Sequence, residues 1–236
     1  MEWLTDYHLW VSLLSLSVLE IVLGIDNIVF IALVVGHLNP AQRKKARLIG
    51  LMLALFMRVG LLFSIVWILG LKEPLFAAFG HSFSGKDLMM LGGGLFLLYK
   101  ATGSMHEELT PADRPTAKEY TGGFNKTIAQ IVAIDFVFSF DSVITAVGVT
   151  SHIGVIVAAM VIAMGVMLAA SGYIADFIDR NPTIKMLALA FILMIGVLLV
   201  GEGLGMHVPK GYIYFGMAFS LGVEVLNMVV RKRRKK

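Results

Sequence analysis

Six apolar runs, each about long enough to cross a bilayer, leave this chain of 236 residues little freedom to fold as anything but a helical membrane protein. A spanning helix needs roughly 20 mainly apolar residues. Residues 9–35, 48–71, 128–149, 153–174, 184–200 and 212–230 supply them. A seventh run, 88–99, is short and reaches across only if 84–87 and 100–105 are helical as well. Hydrophobic residues make up 58% of the chain and charged residues 15%, whereas soluble domains run nearer half and a quarter. The expected fold is all-α: one polytopic domain over 1–236 with seven transmembrane helices. The first run is expected to persist as a helix, because Glu2 and Asp6 stand where a signal peptide carries basic residues. Cysteine is absent, which excludes disulfides and thiolate metal sites.

The net charge of +4 does not point to nucleic acid once the positions of the charges are considered. With seven spans and the N-terminus outside, sixteen basic residues fall in inner loops and in the tail 231–236. Only Lys72, Lys86 and Lys210 fall outside, and Arg58 is left within a span. This is the positive-inside pattern. It predicts a cytoplasmic C-terminus whose basic tail faces anionic lipid, and no nucleic-acid partner.

Within the apolar runs, two stretches carry the same acids. Glu20, Gly24, Asp26 and Asn27 in the first become Asp135, Ser139, Asp141 and Ser142 on a shift of 115 positions. His37 falls on His152 by the same shift, while Arg58 falls on Tyr173. The echo divides the chain into a first repeat at about 9–102, a cytoplasmic linker at about 103–126, a second repeat at about 127–203 and a last helix at about 212–230. Three helices per repeat is an odd number, so the second repeat enters the membrane in the opposite direction. Such inverted repeats place transporter sites near the midplane, at their interface. The triplet Gly92-Gly93-Gly94 reads as tight helix packing.

Each charge at a bilayer centre costs about 2.5–3.5 kcal/mol on insertion scales. Four carboxylates must therefore be paired, protonated, hydrated or bound to a cation. Seven residues nearly restore the angle on a helix, so Glu20 and Asn27 share a face, and so do Asp135 and Ser142. Six residues do not, so a single cavity holding Asp26 and Asp141 as well requires a broken helix near Gly24 or Ser139, or a wide cavity. Carboxylates, an amide and hydroxyls form an all-oxygen set suited to a hard cation: Mg²⁺, Ca²⁺ or Mn²⁺. Proton exchange at the same acids offers a coupling. Arg58 reads as a fixed counter-ion, or as a cation that replaces the metal in the empty site. Glu224 and Asn227, three apart on one face, either finish the site or cap packing against Ser17 or Thr145.

The runs Leu-Gly-Ile-Asp26-Asn27 and Ser-Phe-Asp141-Ser142-Val-Ile-Thr-Ala resemble the paired motifs of the TerC family of bacterial membrane proteins. Residues 209–215 and Val-Glu224-Val-Leu-Asn227 strengthen the resemblance, which covers essentially the whole chain. It implies kinship with LysE-type transporters, a metal site using Asp26, Asn27, Asp141 and Ser142, and manganese efflux. It is greatest to short inner-membrane members without cytoplasmic CBS domains. The expected activity is export of a divalent cation, Mn²⁺ before others, across the bacterial inner membrane, with Glu20 and Asp135 as ligands or proton carriers and Ser139, Arg58, Glu224 and Asn227 in support. The chain is not expected to be an enzyme or to hold a tight cofactor; its partners are the bilayer, the metal and protons. The competing expectations are a protein that assists insertion or metallation of other membrane proteins and, behind it, an intramembrane hydrolase.

Overall fold

A computed structural model describes residues 7–64, 74–78, 81–110, 123–150, 152–206 and 209–234. Among them lie seven helices and one hairpin. Helices α1 (Tyr7–Gly36) and α2 (Pro40–Phe63) come first, then strands β1 (Pro74–Ala78) and β2 (His81–Ser84). Helices α3 (Gly85–Leu109), α4 (Phe124–Val149), α5 (Ile153–Arg180), α6 (Pro182–Gly203) and α7 (Lys210–Arg234) follow. All but α3 are long and apolar enough to cross a membrane. The flanks of the short seventh run are helical, which gives α3 its 25 residues and about 37 Å of length. Its composition is more polar, with Lys86, Asp87, Lys100 and His106-Glu107-Glu108 on board.

Local chemistry sets the ends. Asn39 caps α2 by accepting from Ala41 N at 3.1 Å, and Pro40 takes the first helical position, where its missing N–H is no loss. This start lies eight residues before the apolar run at 48, so the basic residues 43–47 are helical and not part of a loop. Arg43 reaches back to the end of α1, Nε to Leu38 O at 3.0 Å and Nη2 to Gly36 O at 2.6 Å, a cation where the helix dipole is negative. Ser84 and Asp87 form a reciprocal capping box at the start of α3. The hairpin that delivers Ser84 is antiparallel, with Phe76 and Phe83 stacked at 5.3 Å. It was not expected from the sequence. Helix α3 also continues to Leu109, seven residues into the stretch read as linker, while residues 111–122 lie outside the described part.

The chain forms two compact units, and each draws on both halves of the sequence. The first holds α1, α2, α4 and α5 as far as Asp176. Its apolar core includes Ile31, Leu51, Ile131, Ala163 and Met167. Gly50 lets Ile131 approach α2 (a Cβ there would sit 3.0 Å from it), and Gly24 seats the Met167 thioether on α1. The second unit holds the hairpin, α3, α6 and α7. Here α3 and α6 run antiparallel, since Gly203 meets Leu91, Gly94 meets Gly196, and Lys185 Nζ meets Glu108 Oε2 at 2.6 Å. Of the glycine triplet, Gly94 serves this close packing. A Cβ on Gly94 would lie 2.8 Å from Gly196 O and Val200 N, both backbone atoms that cannot swing aside.

Gly94→Ala is therefore expected to cost about 1–3 kcal/mol, seen as a lower unfolding midpoint of the detergent-solubilised protein. Gly92→Ala, where an added Cβ meets nothing within 4 Å, is expected to be neutral or to gain up to about 1 kcal/mol from helix propensity.

Candidate metal centre

Glu20 and Asp135 sit at corresponding depths. The bounds of α1 put its midpoint between Ile21 and Val22, and those of α4 put its midpoint between Phe136 and Val137. Each acid therefore lies within two residues of the middle of its helix. Both are buried, at 1% and 4% exposure. Neither helix is interrupted, at Gly24 or at Ser139. The broken helix that would turn Asp26 and Asp141 toward the other acids is absent. Asp26 and Asp141 lie on α1 and α4, six residues beyond Glu20 and Asp135, and their side chains fall outside the described residues.

Between the two acids stands Arg58 of α2, itself 3% exposed. It donates Nη1 to Glu20 Oε2 at 3.0 Å, Nη2 to Asp135 Oδ1 at 2.6 Å and Nε to Asp135 Oδ2 at 3.1 Å. The grip on Asp135 is bidentate, the strongest form of such a pair. The structure thus brings Arg58 together with both acids, where either reading of it, counter-ion or stand-in for the metal, places it. Asn27 Nδ2 adds a bond to Asp135 Oδ1 at 3.0 Å, and Ser139 Oγ adds one to Asp135 Oδ2 at 2.9 Å. Because a carboxylate only accepts, the Asn27 amide must present its nitrogen to Asp135, which leaves Oδ1 as an acceptor. The Ser142 hydroxyl donates to Ser139 O at 3.3 Å.

Under the shift of 115, Glu20 corresponds to Asp135 and Asn27 to Ser142. Asn27, the polar residue seven positions after Glu20, turns to the acid of the other half, Asp135, whereas Ser142 bonds Ser139 O of its own helix. Arg58 breaks the symmetry, since Tyr173 at the corresponding position is 82% exposed.

Two carboxyl groups face one guanidinium, so the cluster is not balanced when both acids are ionised. Of the four buried side-chain oxygens with no hydrogen-bond partner among the described residues, Ser17 Oγ, Glu20 Oε1 and Asn27 Oδ1 belong to α1, and the fourth is Glu224 Oε1 of α7. The three of α1 stand on one stripe, at spacings of three and seven. Ser17 is the member that sequence reasoning placed only as a packing partner; its i, i+3 spacing to Glu20 is the signal that identifies it. An array of oxygen lone pairs beside surplus negative charge suits a hard cation. No group of three His, Cys, Asp or Glu side chains that could hold a metal ion is found among the described residues, and the cation position between Glu20 and Asp135 is taken by Arg58.

Glu224 and Asn227 belong to the second unit. Glu224 lies beside Thr183 in the first turn of α6, and Asn227 Nδ2 donates to its Oε2 at 3.5 Å. They thus decorate the end of α6 and not its middle.

A family model described as integral membrane protein TerC family matches residues 5–236. The chain is 53% identical over 98% of its length to the UPF0053 inner membrane protein YoaE of Escherichia coli (strain K12), of which it spans 45%. It is 47% identical to a UPF0053 protein of Haemophilus influenzae, covering 99% of each chain. To the UPF0053 inner membrane protein YgdQ of Escherichia coli (strain K12) it is 48% identical, covering 98% of this chain and 97% of the relative. No solved structure matches.

Asp135→Ala is expected to cost about 3–5 kcal/mol, because it leaves Arg58 buried with a single partner. Asn27→Ala should cost less, about 1–3 kcal/mol. Unfolding midpoints of the two variants in the same detergent check the order.

Proposed function

The chain belongs to the TerC family of integral membrane proteins, and we propose that within it this protein exports a divalent cation, Mn²⁺ before others, across the inner membrane. The carrying observation is that Asn27 of α1 and Arg58 of α2 both bond Asp135 of α4, while Arg58 also bonds Glu20. Residues of both halves meeting around two mid-helix acids form a site that neither half forms alone. The names of the relatives YoaE and YgdQ support the inner membrane as the location. The weight of basic residues in alternate loops supports a cytoplasmic C-terminus and an outer N-terminus.

In this reading α1–α3 and α4–α6 are inverted repeats, α7 is the added helix, and α3 is the seventh span. The antiparallel course of α3 and α6 supports it, since equivalent helices of inverted repeats must run in opposite directions. So do the boundaries of the first two helices: 115 added to Tyr7–Gly36 and Pro40–Phe63 gives 122–151 and 155–178, close to α4 and α5. The third helices lose this register because residues 64–84 separate α2 from α3, whereas only Asn181 separates α5 from α6.

Transport follows from alternating access around the acids. Glu20 Oε1, Asn27 Oδ1 and Ser17 Oγ offer oxygens to the cargo, and Ser142, Asp135 and Ser139 hold the opposite wall. Asp26 and Asp141, the chain neighbours of Asn27 and Ser142, serve as further carboxylates of the path, with protons as counter-cargo. The protein acts as a carrier and not as a catalyst.

In liposomes loaded with a metal-sensitive dye, the purified protein is expected to move Mn²⁺ faster than Mg²⁺ or Ca²⁺. Combining Asp26→Asn with Asp141→Asn should lower the rate by about ten- to a hundredfold. Unchanged transport in the double variant would remove these two acids from the path, and no transport by the parent protein would sink the reading.

A further inference from the structure

We propose that Arg58 is a tethered stand-in for the cargo: its guanidinium occupies the cation position of the empty site and must leave when a divalent ion enters. The inference rests on the export reading and adds the device by which the unloaded protein is stabilised.

Three observations carry it. The first is position. Arg58 bonds both acids at once, at 3.0 Å to Glu20 and at 2.6 and 3.1 Å to Asp135, so it stands between the two carboxylates where a shared cation would stand. The second is symmetry. The acids and their polar partners repeat after 115 residues, yet the arginine does not, its counterpart being the exposed Tyr173. A framework counter-ion would be expected once for each acid. A single cation shared by two equivalent acids is placed as a ligand is placed. The third is the unused donor set. Glu20 spends Oε2 on Arg58 and leaves Oε1 buried and unpartnered, next on its stripe to Ser17 Oγ and Asn27 Oδ1. A site satisfied by Arg58 alone would not keep three oxygens out of hydrogen bonding in a membrane interior, where unpaired polar atoms are costly.

Charge arithmetic gives the exchange its direction. Two carboxylates and one guanidinium sum to minus one, and the same carboxylates with one divalent ion sum to zero. A divalent ion therefore improves on the arginine. The arginine competes because it is attached and always charged. Its flexible stem lets the head withdraw while α2 stays in place. The form with Arg58 docked between Glu20 and Asp135 is then the one that a divalent ion has to displace. A ligand that binds only the fraction of molecules in which the site is open has its apparent affinity reduced by that fraction.

Removing the arginine should thus strengthen metal binding while harming transport, a combination that a merely structural role does not produce. Equilibrium binding of Mn²⁺ to purified protein in detergent, with net efflux from liposomes measured in parallel, tests it. Arg58→Gln is expected to bind Mn²⁺ about ten- to a hundredfold more tightly than the parent protein and to lose most net efflux. Arg58→Lys, a point charge that cannot grip two carboxylates at once, is expected to bind with intermediate affinity. It carries the test alone if the Gln variant is not recovered folded. Affinity equal to or weaker than that of the parent, in whichever variant folds, overturns the role of Arg58 and leaves the export reading standing. A parent protein that binds no divalent ion at all overturns both.

Discussion

A carboxylate in the middle of a membrane helix is the most expensive thing in this protein, and the Glu20–Arg58–Asp135 triad is how that expense is contained. The three residues come from three helices, α1, α2 and α4, and join parts of the chain that are 38 and 77 positions apart. Apolar packing alone would tolerate many rotations of α1 against α4, because both helices are apolar nearly all round. The triad selects one. It requires Glu20, Asp135 and Arg58 to face inward at one level, and the residues seven positions beyond the acids follow onto the same interface.

Much of this is legible in the chain. The acids at Glu20 and Asp135 stand out because apolar surroundings make any carboxylate conspicuous, and their shared spacing to Asn27 and Ser142 marks one helical face. The glycines of α3 are readable as packing surface, and Gly94 is used that way. The identity of the partners is less readable. Pairing depends on which helices touch, and periodicity in a membrane helix carries little of that information when lipid and protein interior are equally apolar. Arg58 stands out as the charge within a span, but which acids it bonds is a tertiary fact. Nor could the seven-residue stripe announce that Asn27 serves the acid of the other half.

Elsewhere the sequence misled for identifiable reasons. Hydropathy placed the second span at 48–71, yet the helix begins at Pro40, because a good cap and a proline outweigh the polarity of four basic side chains that can reach water. The stretch taken for a linker is rich in charge, but a charge satisfied by a partner is no obstacle to a helix, and Glu108 finds Lys185. The hairpin β1–β2 lies between the apolar runs 48–71 and 88–99, in residues with no strand signal read from them, and its phenylalanines stack on each other across the strands.

The crossing of partners between halves has a consequence in time. Glu20 and Arg58 are made early and can neutralise each other as the first two helices insert. Asp135 follows Arg58 by 77 residues, which at about 5–20 residues per second is roughly 4–15 seconds of synthesis. During that interval the first half waits with one acid and its arginine already matched, and Asn27 has no acid to serve. Asp135 then arrives at a cation that is already in the membrane. The order of the residues along the chain thus spares the ribosome from ever presenting the translocon with both acids before their shared arginine.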